Sequence, residues 1–247
     1  MTATAPPIQK TIRAYRDRDR DAVRDLVCRT AFRNRGHAAV LDDAELFADY
    51  WTRYYVEVEP GSCLVLEEDG EIHGCLLGCL DSRRFQRVMA KAVVPRVIAR
   101  LVRASFRRER RDARSFLRWS ITRGWREAPP VDLDRYPAHY HLNLLPGAYG
   151  ERMYSRMALR FVEYAADRGV CGIHGQVLDR RDGGVWERLV RQFVRANPDV
   201  VFSESTRPSS LGSALLGEQE PMVNRAFGGS TADFARFLRW IGQWRHL

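Results

Sequence analysis

The chain has 247 residues, 45% of them apolar, and a formal net charge of +9, enough apolar material for one large α/β domain or one domain plus an insertion. No apolar run reaches the ~18 residues of a membrane span, and Met1–Pro7 lacks the basic-then-apolar pattern of a signal peptide, so no membrane segment and a cytoplasmic location are expected. The five cysteines are an odd, scattered set without zinc-ligand spacing, so a reducing compartment and no metal are expected, with Cys75 and Cys79 as small buried hydrophobes.

Lys10–Tyr15 alternates as a first strand. Asp17–Asp21 can cap a helix whose apolar positions Ala22, Val23, Leu26, Val27 and Ala31 recur at helical spacing. A second helix begins near Asp42-Asp43 and carries Leu46, Phe47, Tyr50, Trp51 and Tyr54. Ser62–Glu67 and Ile72–Leu80 are strands joined by the hairpin signal Glu68-Asp69-Gly70-Glu71. Arg83–Arg126 is helical in pattern, with Pro95 near a helix start and Pro129-Pro130 as its stop. After it come a strand over His139–Leu145, a helix over Glu151–Arg168 capped by Gly169, and a strand over Val170–Leu178. Trp186–Arg195 falls in a helix, Asp199–Glu204 in a strand, Glu220–Phe227 in a weak strand, and Phe234–Trp244 in a closing helix. Strand–helix alternation after an early hairpin predicts an α/β fold with a mixed sheet flanked by helices.

The stretch His141-Leu-Asn-Leu-Leu-Pro-Gly-Ala-Tyr-Gly150, then a helix, then Gly169-Val-Cys-Gly-Ile-His-Gly-Gln-Val177, resembles the core of the GNAT (N-acetyltransferase) superfamily. The resemblance implies a GNAT-like mixed sheet spanning the whole chain, interrupted by an Arg-rich helical insertion over 82–135. It also implies a loop of pattern Gln/Arg-x-x-Gly-x-Gly/Ala, whose helix N-terminus binds the diphosphate of coenzyme A. Here Gly150 is kept, while Arg152 and Tyr154 replace small residues and Glu151 adds a negative charge. A phenol at that turn competes for phosphate space, and the alternative is that Arg152 grips the phosphate with its guanidinium. Where the family carries an Asn and, seven residues on, a Tyr that protonates the departing thiolate, this chain has Asp179 and Trp186. An indole N–H donates a hydrogen bond but is too weak an acid for that task.

Amide formation by acyl transfer needs a neutral amine, a stabilised oxyanion and a protonated leaving group. The resemblance sets the oxyanion against backbone N–H groups near Leu144 and Leu145. Along that strand His139, His141 and Asn143 share one face, and His174 and Gln176 share a face of its neighbour. His141 or His174 is the expected base, Asn143 stands where some relatives carry a carboxylate, and Asp81 is a further candidate. Each of these histidines has an alternative reading as a buried residue satisfied by hydrogen bonds. No serine or cysteine sits beside a readable base, so direct transfer is expected.

Between Ser82 and Arg135 there are sixteen basic and five acidic residues, a net of +11 that leaves −2 for the rest of the chain. Arg96, Arg100, Arg103, Arg107, Arg111, Arg114 and Arg118 step by three or four, one helix face, which the polar interval 107–112 divides into two helices. Arginine suits phosphate forks, so nucleic acid is the favoured partner, ahead of plain solubility and of an acidic protein or membrane surface. A spoiled coenzyme A loop beside a polyanion surface favours aminoacyl-tRNA as acyl donor, with a small-molecule amine as acceptor and no cofactor required. The alternatives are an acetyl-coenzyme A or other acyl-coenzyme A donor, and a non-catalytic RNA-binding protein on the same fold.

Overall fold

The computed structural model describes residues 10–106, 111–181 and 183–243, with backbone alone at 149–151. Strands β1 (Lys10–Ala14), β2 (Leu64–Glu68), β3 (Glu71–Cys79) and β4 (Ala138–Leu144) pair antiparallel in chain order. β5 (Gly172–Arg180) runs parallel to β4, and β7 (Met222–Ser230) lies between β5 and β6 (Ser203–Ser209), antiparallel to both. The β2–β3 turn places Asp69 and Gly70 at φ +50° and +87°, the left-handed pair that a two-residue hairpin needs.

Helices cover both faces. On one lie α1 (Arg20–Asn34) and α2 (Ala44–Val58), packed through Leu26, Leu46, Tyr54 and Tyr55 against Cys75, Leu77 and Cys79. The Asp43 carboxylate accepts from the Leu46 N–H at 2.9 Å and so caps α2. On the other lie α6 (Met153–Ala166), α7 (Val185–Ala196) and α8 (Thr231–Ile241), packed through Met157, Phe161, Phe193 and Phe237. Each such fully buried side chain contributes roughly 1.5–3 kcal/mol. Between β3 and β4 run α3 (Ser82–Val88), a π-helical turn (Met89–Val93), α4 (Val94–Ser105) and α5 (Arg111–Thr122).

Pro95 stands in the first turn of α4, as expected, where its missing N–H costs no helical bond, although α3 and the π turn lead into α4 without a break. Several other expectations need correcting. The strand expected over residues 199–204 starts later, at Ser203, and runs on to Ser209 as β6. β7, read as weak, is nine residues long and paired along both edges. Its pattern is broken by Arg225, which is buried and held by Glu187 at 2.8 Å and by Glu204. The α6 helix begins two residues later than expected, because Pro146–Arg152 forms 3-10 turns.

Candidate active site

Strands β4 and β5 pair only at Ala138↔Ile173 and His139↔His174, then part. The β3–β4 register fixes what faces the gap. Gly74 lies opposite Leu144, and the Leu145 N–H donates to the His73 carbonyl at 2.9 Å. In an antiparallel ladder that makes Gly74↔Leu144 a non-hydrogen-bonded pair, so Leu144 and Leu142 turn N–H and C=O away from β3, toward the gap. Of the two N–H groups expected to face an oxyanion, near Leu144 and Leu145, that of Leu144 points into the gap, with Leu142 behind it, while that of Leu145 is spent on β3.

One side of β4 carries two histidines, His139 and His141, and β5 adds His174 beside them. His139 is buried, with the Tyr55 hydroxyl 2.9 Å from Nε2 and Ser82 Oγ 2.7 Å from Nδ1. Ser82 has one hydroxyl proton and gives it to the Pro137 carbonyl at 2.6 Å, so Nδ1 must be the donor to Ser82 and Nε2 the acceptor from Tyr55. His139 is thus neutral, with both nitrogens committed; burial first, then His141 and His174, holds its pKa well below the ordinary value. His174 donates Nδ1–H to the Tyr136 carbonyl at 2.8 Å, which leaves Nε2 bare; its ring lies 5.3 Å from that of His139. Burial lowers its pKa, while the Tyr136 bond acts in the opposite direction. His141 is flanked edge-on by Trp51 and Tyr55, at 5.7 and 5.6 Å, and burial, then His174, pushes its pKa down to about 4. Of these two histidines, His174 is the one whose tautomer a hydrogen bond fixes, with Nδ1–H held by the Tyr136 carbonyl. Asn143 is drawn away from chemistry, donating to Thr30 Oγ1 at 2.8 Å. Asp81 is exposed and caps α3 through the Arg84 N–H at 2.9 Å.

The other side is aromatic. The Tyr140 and Tyr154 hydroxyls are 3.3 Å apart, and the Trp186 ring lies 5.0 Å from Tyr154. With Gly175, Val177 and Phe227 they line an apolar cavity of about 60 Å³. Tyr154 thus turns inward to Tyr140 and fills space beside the gap, not the helix mouth where it was expected to compete with a phosphate. Burial pushes the Tyr140 phenol up to about 12.

The loop before α6 is poor in free donors. As 3-10 turns, Pro146–Arg152, Gly150 included, spends its N–H groups on carbonyls three residues back. Arg152 enters α6 at φ +61° with its side chain exposed. Asp179 is buried against Gly184 at the start of α7, and a Cβ on Gly184 would run into its carboxylate. Cys28, Cys63, Cys75 and Cys79 are buried; burial pushes Cys28 up to about 11 and Cys63 to about 12, so neither supplies a ready thiolate. Among the described residues no cluster of three metal-ligating side chains occurs, and no helix is long and apolar enough to cross a membrane.

The arginine stripe is divided as expected, between α4 and α5. Arg107 lies outside the described residues. Arg100 is no phosphate contact as placed, since Asp43 and Asp49 hold it at 3.5 and 3.2 Å, and Arg114 donates to the Ser105 carbonyl at 3.1 Å. Arg96, Arg103, Arg111 and Arg118 are exposed.

No protein-family model matches the chain. Among solved structures, SsHAT aligns over 90% of this chain and 98% of its own at 25% identity, with a TM-score of 0.59. An N-acetyltransferase from Staphylococcus aureus Mu50 covers 90% of this chain and 99% of its own at 10% identity and a TM-score of 0.46. A polyamine N-acetyltransferase of Drosophila melanogaster covers 90% and 100% at 14% and 0.47; both are too distant to carry an argument about this chain.

Proposed function

From the GNAT fold, which this chain has, we propose an amide-forming acyltransferase that moves an acyl group from an acyl-coenzyme A thioester to a small-molecule amine. The observation that carries the reading is the parting of β4 and β5 directly beyond the His139–His174 pair. Backbone donors stand along one wall of the gap, and a bare imidazole nitrogen stands at its vertex. The thioester supplies an activated carbonyl. The open edge of β4, with its unpaired N–H and C=O groups, suits an extended amide-bearing arm, and the Leu144 N–H suits the carbonyl oxygen as it gains charge. His174 Nε2 takes the proton that the amine loses, directly or through one water. His139 orients by its two fixed bonds and takes no proton.

The diphosphate fits less well. The 146–152 turn has few free N–H groups to offer, and the exposed Arg152 guanidinium is the partner left near the helix mouth. The donor is then held chiefly by its arm and acyl end. The aminoacyl-tRNA donor becomes the second reading, supported by exposed Arg96, Arg103, Arg111 and Arg118 and weakened by the pairing of Arg100 with two aspartates.

The test is thermal unfolding with acetyl-coenzyme A or with aminoacyl-tRNA. A donor at 100 times its dissociation constant stabilises the chain by about 2.7 kcal/mol, a readily measured shift. A shift with acetyl-coenzyme A, and acyl transfer to an amine panel, is the expected result. A shift with aminoacyl-tRNA alone reverses the order of the two readings. No shift with either removes both.

A further inference from the structure

Helix α4 carries three stripes. Val97 and Leu101 are buried beneath it. At 100° per residue the next stripe is Ile98, Val102 and Phe106, exposed by 39%, 38% and 84%. The third is Arg96, Arg100 and Arg103. Arg100, nearest the buried stripe, reaches back to Asp43 and Asp49, while Arg96 and Arg103 are exposed on the flank beyond Phe106, roughly 60–80° round the helix from it. Nothing in the fold needs the middle stripe to be apolar, because the core already has Val97 and Leu101.

A second feature has the same composition. Following α5, which packs on α4, Trp125 is 65% exposed with the Arg126 guanidinium 4.6 Å from its ring centre, and Ile121 is 58% exposed. Arg111 and Arg118 lie exposed along α5. The segment that bears both features holds all the excess positive charge of the chain.

We infer that the outer face of α4 and the end of α5 form a docking surface for anionic phospholipid. Such a surface offers what both stripes need at once, phosphates for the guanidiniums and an acyl boundary for Ile98, Val102, Phe106 and Trp125. A nucleic acid would engage the arginines but leave an aliphatic stripe in water. A helix lying in an interface needs no apolar run long enough to span, so the absence of one is no obstacle. The inference does not depend on the acyl donor.

The experiment is co-sedimentation of the full chain with vesicles of phosphatidylcholine alone or mixed with phosphatidylglycerol. Binding is expected to the mixed vesicles only and to weaken as salt rises. The variant Ile98→Ser/Val102→Ser/Phe106→Ser and the variant Arg96→Gln/Arg103→Gln are each expected to lose about 20-fold or more in vesicle affinity. Circular dichroism should be unchanged in both, and acyl transfer to a soluble amine should be unchanged in the Ile98/Val102/Phe106 variant, since none of those three residues lies at the gap. Failure of the parent chain to bind mixed vesicles overturns the inference. Two further results overturn it: binding to total tRNA that survives in the apolar variant, which gives the surface to RNA, and a dimer abolished by that variant, which gives it to a second copy of the chain.

Discussion

The two sides of β4 are built on opposite plans. Toward α2, His139, His141 and His174 sit among Tyr55, Ser82 and Trp51, and His139 and His174 have hydrogen-bond partners that fix their tautomers. Toward α6, Tyr140, Tyr154 and Trp186 enclose an apolar cavity and share one long hydroxyl contact. One strand separates a surface suited to handling a proton from one suited to holding a chain. The difference follows from the two-residue period of a strand, which lets adjacent residues serve different environments.

Substituting the vertex should produce the largest effect. His174→Ala is expected to lower kcat by ~100-fold or more with the fold intact, while His141→Ala, whose ring is flanked edge-on by Trp51 and Tyr55 and not oriented by the Tyr136 carbonyl, costs less. A steady-state assay with circular dichroism checks this, and equal losses in the two variants would erase the distinction between them. Next comes the mouth of α6. Arg152→Ala should raise the KM for acetyl-coenzyme A by about 5- to 10-fold and leave the KM for acetyl-pantetheine unchanged, since only the former has a diphosphate. If both rise together, Arg152 acts on the arm and not on phosphate.

The smallest expected effect is on stability. His141 has a pKa near 4 in the folded chain and about 6.5 when unfolded. A lowered value means that the unfolded chain binds more protons below pH 6.5, so His141 contributes a fall in Tm between pH 6.5 and about 4. In His141→Gln the fall over that window should be shallower. A slope identical to that of the parent chain would mean that the ring is not held neutral by its surroundings. For the same reason the acid limb of kcat/KM, measured with an aromatic amine of low pKa, should lie below pH 6.5.

What the sequence made legible was the alternation. His139, His141 and Asn143 were placed on one face of β4 and Tyr140 and Leu142 on the other, and they lie so. The glycine stop after α6 and the start of α2 near Asp42-Asp43 are equally readable, because each is a local signal. What was hidden depended on partners distant in the chain. Whether the N–H of Leu144 or of Leu145 faces the gap is a question of parity, settled only by which residue of β3 lies opposite. Ser82 and Tyr55 reach His139 across 57 and 84 positions, and no spacing rule links them. Arg100 fits a helical stripe with its neighbours, yet two aspartates of α2 take it out of that stripe. β7 was underrated because Arg225 and the Gly228-Gly229 pair break its apolar pattern, and the carboxylates that make a buried arginine tolerable come from α7 and β6.

The contact between Asp179 and Gly184 carries a rule about permitted change. With Asp179 placed as it is, a side chain at position 184 would overlap its carboxylate, so Gly184→Ala requires that carboxylate to move and should lower stability. Remove the carboxylate first, as in Asp179→Gly, and the space opens. Position 184 should then accept alanine or serine more readily than in the parent chain. The two positions are thus coupled, and a double-substitution cycle should show the cost of Gly184→Ala shrinking once Asp179 is removed.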